Sequence, residues 1–227
     1  MIVTIHQPEY LPWIGFFDRI SKADIFVILD DVQYQKKGFI NRNRIKTSQG
    51  WQWLTVPVKE RESLKKINEK EIDNQTDWRQ NHWKSLFYNY KKASYFKQYA
   101  DFFEDIYKQN WNFLTDLDIY LIKNIMNMLG LKKEIRKSSL LKIEGKADDL
   151  LVNICKAVGA DTYLSGPGPK DKNYRDYMDL GKFKKQNINV VFQEFTHPAY
   201  IQQFDKQGFI PNLSIIDLLF NCGEKNL

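Results

Sequence analysis

Three short segments carry side chains that could transfer a proton or hold a polar ligand: His6–Gln7–Pro8, Asp30–Asp31 and Ser165–Gly166. His6 can serve as a general base or as a neutral hydrogen-bond donor, because the ordinary pKa of histidine is about 6.5. The same histidine could instead tie its loop to backbone carbonyls. We predict catalytic roles for His6, Asp30 and Ser165 and a substrate-binding role for Gln7.

A basic, amide-rich segment follows the two aspartates. No acid offsets the five lysines and arginines between Val32 and Val58. A guanidinium clamps phosphate or carboxylate oxygens, and asparagine offers a donor and an acceptor to sugar hydroxyls. These residue types predict a ligand-binding loop with five substrate-binding side chains: Gln33, Tyr34, Asn41, Arg42 and Arg44.

Other candidates lie beside turns or prolines. Glycine lets a backbone approach a ligand closely. We therefore add Gly15 and Gly166 to the predicted substrate-binding residues, together with Tyr10, Tyr177 and His197. No GxSxG elbow surrounds Ser165, so a serine nucleophile has no motif to support it. The three histidines lack zinc-binding spacing, and no metal site is predicted.

The elements that must position these residues are short buried strands. Ile2 to Ile5 is an apolar run that stops at a proline, helical spacing runs from Trp13 to Ala23, and a second strand covers Ile25 to Leu29. Such a strand, helix, strand succession builds a parallel sheet whose ligands gather at the carboxyl ends of the strands. Further strands are predicted at 53–58, 162–164 and 188–195. We expect His6, Asp30, Asn41, Arg42 and Ser165 to converge on one crevice.

The middle of the chain has a helical pattern. Aromatic residues recur at helical spacing between Thr76 and Leu131, which predicts a helical insertion or lid. A further helix is expected from Ala147 to Val158, ended by Gly159. Near the end, Ser214 is expected to cap a helix. The predicted division is 1–75, an N-terminal α/β half; 76–145, the insertion; and 146–227, a C-terminal α/β half, together forming a single composite domain.

The first loop invites an analogy with the HxGH nucleotidyltransferases and pantothenate synthetase. Phe16 follows Gly15 where those enzymes carry their second histidine. Adenylate chemistry is therefore an open alternative that lacks one of its phosphate-binding groups. The predicted fold class is α/β, an open parallel Rossmann-like sheet of the nucleotidyltransferase or HUP type with a helical insertion.

Composition limits the partners. The net charge is +6, which admits nucleic acid, an anionic membrane surface or a phosphorylated small molecule. The lysines are spread through helical segments and no basic tail is present, which makes nucleic acid a minority interpretation. No apolar stretch approaches the roughly 18 residues of a membrane helix, and the N-terminus lacks the basic start of a signal peptide. We expect a cytoplasmic protein without a membrane span.

The motifs together resemble the WbqC-like family. The matching segments run along nearly the whole chain: His6–Gln7–Pro8 with Tyr10, Pro12 and Gly15–Phe16–Phe17; Asp30 to Tyr34; Asn41–Arg42–Asn43; Trp53 to Pro57; Tyr163 to Gly166; His197–Pro198 with Tyr200; and Leu213 to Asp217. One departure is the stretch from Gly168 to Arg175, where the family passes from Ser-Gly to its tyrosine more directly. That insertion leaves the partner of Ser165 open.

The resemblance implies a transferase of surface polysaccharide biosynthesis, including O-antigen. The family has been proposed to move glycine or another acyl group onto the amine of a nucleotide-linked amino sugar. The donor stays open between ATP with a carboxylic acid and an acyl or aminoacyl carrier, so no cofactor is assigned. The alternatives are an ATP-dependent amide ligase, and a noncatalytic module that binds sugar nucleotides or RNA through the basic segment.

Overall fold

The computed structural model describes residues 1–59, 65–167 and 178–224. By its contacts the chain divides into two compact units. The first unit comprises Met1–Gln7, Phe16–Asp31 and Lys132–Thr196, and the second comprises Pro8–Gly15, Val32–Leu131 and His197–Leu227. Among the described residues, no helix combines the length and the apolar character needed to cross a membrane.

A parallel sheet of five described strands forms the centre of the first unit. The strands are β1 (Ile2–His6), β2 (Ile25–Ile28), β5 (Glu134–Lys137), β6 (Thr162–Ser165) and β7 (Asn189–Phe192), in the order β5-β2-β1-β6-β7. Every neighbouring pair is parallel. Counted in chain order within this sheet, the arrangement is 3-2-1-4-5, which confirms the predicted open Rossmann-like α/β fold.

Helices accompany this sheet. They are α1 (Ile14–Ser21), α5 (Ser138–Leu141), α6 (Ala147–Val158) and α7 (Leu180–Lys184). The prediction for α6 is confirmed: Gly159 follows it in the left-handed conformation, with φ of 73°. On α1, Phe16 packs edge-on against Phe26 of β2, with ring centroids 5.5 Å apart, so the apolar stripe of this helix covers one face of the sheet.

The second unit contains an antiparallel hairpin and a group of helices. The hairpin strands are β3 (Arg42–Thr47) and β4 (Gly50–Thr55), and the helices are α2 (Trp78–Tyr90), α3 (Phe96–Lys108), α4 (Leu114–Met128) and α8 (Ile215–Cys222). The helical pattern predicted between 76 and 131 is confirmed. Ser214 caps α8 as predicted, its Oγ accepting a bond from the Ile216 N–H.

Two of the expectations for local structure were wrong. The strand expected at 53–58 begins and ends earlier, as β4, and pairs with β3 rather than joining the parallel sheet. The predicted ligand-binding loop is extended strand from Arg42 onward. Both errors have one cause. Arg42 and Arg44, which are partly exposed, alternate with buried Asn43 and Ile45, and so many polar residues make this strand look like a loop.

Candidate functional site

The order of the parallel strands marks one place in the first unit. The chain moves from β1 through β2 to β5, then returns to the other side of β1 to form β6. The carboxyl ends of β1 and β6 therefore flank the topological switch point, where open α/β sheets bind ligands. His6 is the last residue of β1 and Ser165 the last residue of β6. We call this place the switch-point site and define it by His6, Arg19, Ser165 and Gly166.

His6 is held as a neutral imidazole. Its Nδ1 lies 2.8 Å from the Gln7 carbonyl, which can only accept, so Nδ1 carries the hydrogen and Nε2 carries the lone pair. The ring meets Phe16 edge-on at 5.4 Å. Burial, and then the positive charge of Arg19, lower the pKa of His6 to about 3. At neutral pH this histidine is therefore uncharged.

Arg19 is the residue that the sequence reasoning missed. It lies on α1, three positions after Phe16, and is buried although charged. A Cβ on Gly166 would come within 2.5 Å of Nη1 of Arg19. A side chain at 166 would therefore displace the guanidinium that lies against this backbone, and the predicted substrate contact of Gly166 stays a prediction. The missed signal was a cation on the apolar stripe of a short helix.

Ser165 and His6 share an edge of the sheet but not a face. Val3 of β1 pairs with Tyr163 of β6, and continuing this register sets Ser165 beside Ile5. Because side chains alternate along a strand, His6 and Ser165 point to opposite faces. The Ser165 hydroxyl is buried and has no hydrogen-bond partner among the described residues. The face that carries His6 is the one covered by Phe16 of α1.

Asp30 follows β2, on the other side of β1. Its Oδ1 accepts bonds from the Ser138 hydroxyl at 3.1 Å and the Ser139 N–H at 3.0 Å, and its Oδ2 accepts from the Ser139 hydroxyl at 2.8 Å. Asp31 also binds the Ser138 hydroxyl. These bonds fix the start of α5 to the end of β2, so the geometry supports a positioning role for Asp30.

In the second unit, several predicted binding residues make hydrogen bonds within the protein. The Tyr10 hydroxyl is buried between Tyr107 at 2.6 Å and Nδ1 of His82 at 2.9 Å, and Nε2 of His82 faces the Thr55 carbonyl at 3.2 Å. Since that carbonyl can only accept, the bonds run from Tyr107 to Tyr10 to His82 to Thr55. We call these four residues the buried chain.

Asparagine and glycine residues of this unit also contact other parts of the protein. Asn41 donates to the Val56 carbonyl and Asn43 to the Leu11 carbonyl, both at 2.8 Å. A Cβ on Gly15 would come within 2.2 Å of the Trp13 indole, so the glycine makes room for that ring. These contacts hold the hairpin and the loop after β1.

The remaining predicted residues of the second unit are more open. Arg44 donates to the Asn212 carbonyl at 3.1 Å, and the Asn212 N–H donates to Nε2 of His197 at 3.1 Å. His197 stacks on Trp13, with ring centroids 6.4 Å apart. Arg42 packs on Trp53. These contacts group Arg42, Arg44 and His197 with indole rings.

Three further predictions concern Gln33, Tyr34 and Tyr177. Gln33 is exposed, while Tyr34 is buried with Nζ of Lys70 5.3 Å from its ring. Tyr177 lies outside the described residues, as does the departure from the family pattern at 168–175. Asn41 and Arg42 belong to the second unit, so the single crevice expected for five residues stays a prediction.

A metal site has no candidate in the described ranges, where no three histidine, cysteine, aspartate or glutamate side chains form a group that could hold an ion. The switch-point site instead offers a neutral imidazole and a buried guanidinium. That donor set suits an anionic organic substrate and a proton transfer.

Comparisons with known proteins agree with the motifs. The model of the WbqC-like protein family matches residues 7–227. The chain is also similar to Uncharacterized protein Rv1507c of Mycobacterium tuberculosis (strain ATCC 25618 / H37Rv), with 40% identity over 227 residues covering 98% of this chain and 94% of that protein. No solved structure matches the chain. The protein is therefore a member of the WbqC-like family.

Proposed function

We propose that the protein transfers an acyl or aminoacyl group, with glycine as the leading candidate, to the amine of a nucleotide-linked amino sugar. One observation carries the proposal: at the switch point, a neutral histidine and a buried arginine lie together at the carboxyl edge of the sheet. Amide formation needs a proton acceptor for the amine and a fixed cation for an anionic reactant. His6 and Arg19 supply these two functions.

The proton step fits the tautomer of His6. The lone pair of the amine attacks the acyl carbonyl carbon and forms the C–N bond, and the bond to the leaving group breaks with its electron pair. Nε2 of His6 accepts the proton that the amine loses and returns it to the leaving group. The bond from Nδ1 to the Gln7 carbonyl keeps Nε2 as the acceptor.

Arg19 supports this step electrostatically. Its charge is the second cause of the low pKa of His6, after burial. A carboxylate or phosphate that pairs with the guanidinium would offset this charge, and the pKa of His6 would rise toward the range in which a base is effective. Substrate binding would then strengthen the base. Gly166 contributes by leaving room for the guanidinium.

Asp30 and Ser165 have lesser parts in this proposal. Asp30 is a positioning residue, because all of its bonds go to the start of α5. The Ser165 hydroxyl points away from His6, so the imidazole does not activate it as a nucleophile. We assign Ser165 a hydrogen-bonding role toward bound substrate on its own face of the sheet.

The test is an acylation assay with an amino sugar linked to UDP. Three donor mixtures are compared: glycine with ATP, a glycyl thioester, and glycyl-tRNA. We expect one of them to yield an acceptor whose mass has grown by one glycyl residue, and the His6→Gln variant to lose this product. Pyrophosphate release with the first mixture alone would identify an ATP-dependent amide ligase.

The matched control is His82→Gln, which makes the same substitution at the other buried neutral histidine. It should keep the product yield per folded molecule. If no mixture gives an acylated product, or if His6→Gln is as active as His82→Gln, the acyl-transfer proposal is wrong.

A further inference from the structure

The outer face of the β3–β4 hairpin stacks two guanidiniums on two indoles. The register sets Arg44 opposite Trp53 and Lys46 opposite Trp51. The guanidinium carbon of Arg42 is 4.2 Å from the centroid of the Trp53 ring, and that of Arg44 is 5.1 Å from the centroid of Trp51. We call Arg42, Arg44, Trp51 and Trp53 the Arg–Trp face. It combines positive charge with flat apolar surface.

The charge on this face is not neutralised within the described residues. Neither Arg42 nor Arg44 forms an ion pair there, and no acid occurs from Val32 to Val58. Arg44 donates Nη2 to the Asn212 carbonyl, and the structure shows no other hydrogen bond of its guanidinium among the described residues. A guanidinium with unused donors is suited to phosphate oxygens.

Arg42 has a different task. Its Nε and Nη2 donate to the carbonyls of Gly38 and Lys37, at 3.2 and 2.6 Å. It is thereby fixed on top of the Trp53 ring, and Trp53 in turn contacts Trp51 edge-on at 5.7 Å. Arg42 and Trp53 form a rigid support, and Arg44 and Trp51 are the groups left to meet a ligand.

Trp51 of this face and the neighbouring Phe39 are open to solvent. Trp51 is 47% exposed and Phe39, which contacts Trp53 at 5.8 Å, is 42% exposed. An exposed indole beside an unneutralised guanidinium matches the two halves of a nucleotide, since a nucleobase stacks on aromatic rings and a phosphate binds arginine.

We propose that the Arg–Trp face binds a nucleoside diphosphate, with the base stacked on Trp51 and the diphosphate held by Arg44. The choice of a diphosphate rests on the proposed function, whose acceptor is linked to a nucleotide. A nucleic acid strand is the less suitable occupant. A strand requires a run of phosphate contacts along a groove. This face presents two guanidiniums, and that of Arg42 already donates to carbonyls of its own loop.

The experiment is a calorimetric titration of the full chain with UDP, GDP, ADP and dTDP. We expect at least one of them to bind, and Trp51→Ala and Arg44→Met each to weaken that affinity by about tenfold or more, in line with stacking and charge-assisted contacts. The controls come from the end of α2, where Lys91, the residue after the helix, lies 5.4 Å from the exposed Tyr88 ring. Tyr88→Ala and Lys91→Met should leave the affinity unchanged.

Probes that contain only the diphosphate or only the nucleoside show which residue contacts each part of the ligand. Pyrophosphate should bind more weakly than the diphosphate and be insensitive to Trp51→Ala, and the free nucleoside should be insensitive to Arg44→Met. UDP and a UDP-linked amino sugar should lose affinity equally in each variant. Thermal unfolding checks that the variants fold, and Trp51→Phe, which keeps a ring, should restore most of the affinity.

Several results would overturn the inference. They are the failure of all four diphosphates to bind, unchanged affinity in Trp51→Ala and Arg44→Met, and tighter, strongly salt-dependent binding of an octauridylate, which would indicate nucleic acid. The His6→Gln variant separates this inference from the proposed function. It should bind UDP normally, so UDP binding without acylation leaves this inference standing. Acylation of the UDP-linked amino sugar that is unchanged in Trp51→Ala and Arg44→Met leaves only the proposed function standing.

Discussion

His6 and His82 are both histidines kept neutral by burial, yet their surroundings differ. Both ring nitrogens of His82 are used, one accepting from Tyr10 and one donating to the Thr55 carbonyl. His6 uses Nδ1 on the adjacent carbonyl of Gln7 and experiences the charge of Arg19. A lowered pKa therefore does not by itself identify a catalytic histidine. The hydrogen bonds and the nearby charge must be considered together with the pKa before a buried histidine is assigned a catalytic role, as the proposed function assigns to His6.

The largest expected effect tests this comparison directly. His6→Gln should lower kcat by about 100- to 10,000-fold, because a general base typically contributes that much. The free energy of unfolding should change by about 1 kcal/mol or less, since His6 lies at the end of its strand and its Nδ1 bonds the adjacent Gln7 carbonyl. Steady-state kinetics of acylation and urea unfolding measure the two quantities. If His6→Gln is largely unfolded but its remaining folded fraction is active, the role of His6 is structural and not catalytic.

The second-largest expected effect is the contribution of His82 to the pH dependence of the free energy of unfolding. Burial lowers the pKa of His82 from 6.5 to about 4. As pH falls below 6.5, the unfolded chain takes up a proton that the folded chain excludes, so stability is complete above pH 6.5 and is lost down to about pH 4. His82→Gln can keep both hydrogen bonds without titrating. From pH 7 to pH 4.5 the wild type should lose about 2 to 3 kcal/mol more than this variant.

Urea unfolding at the two pH values measures that difference, and the contribution of His6 cancels because both proteins contain it. If stability falls with pH equally in wild type and His82→Gln, His82 accepts a proton as readily in the folded state as in the unfolded state. His82 would then no longer be the structural counterpart of His6.

The third effect is expected on substrate binding. Arg19→Met should raise KM by about 10- to 100-fold and lower kcat less, since a guanidinium that holds an anion acts in ground and transition states alike. Gly166→Ala should reproduce the effect, because its Cβ would displace the guanidinium. Arg136→Met, at an exposed ion pair on β5, is the control. A fall in kcat alone would give Arg19 a role in the chemical step.

The difference between what the sequence predicted and what it missed follows from how local each signal is. The first strands, α1, α6 and the Ser214 cap were predictable because apolar runs, helical spacing and capping residues act within a few positions. Strand β5 was missed because Glu134–Lys137 is short, polar and at the edge of the sheet. Nothing local distinguishes such a segment from a loop.

Site residues divide in the same way. His6 and Ser165 could be placed at strand ends from their positions after apolar runs, and the structure puts both at the switch point. The opposite faces of the two side chains depend on the register between β1 and β6, which are far apart in sequence. Arg19 was missed for the same reason, since its burial becomes apparent only when α1 packs on the sheet.

The smallest expected effect extends the comparison to the surroundings of the buried chain. Asp118 on α4 is completely buried, and neither of its carboxyl oxygens has a hydrogen-bond partner among the described residues. Burial, and then the charge of Glu9, raise the pKa of Asp118 well above its usual range, and Asp118 in turn contributes to the raised pKa of Tyr10. A carboxyl with a raised pKa stabilises the folded state fully below the unfolded value, and that stability is lost as pH rises through the folded pKa.

Asp118→Asn keeps the shape of the side chain and removes its titration. At pH 7 the variant should therefore unfold with a free energy about 1 kcal/mol higher than wild type. At about pH 3, below the ordinary Asp pKa of 3.8, the wild-type carboxyl is mostly protonated in both states and the difference should nearly vanish. Urea unfolding at both pH values measures this, with acylation kinetics at pH 7 alongside. Unchanged kinetics would mean that the buried chain and its acidic neighbour serve only the fold. A stabilised variant with impaired turnover would instead show that an unfavourable buried acid is retained for function, and His82 could then no longer be treated as the structural counterpart of His6.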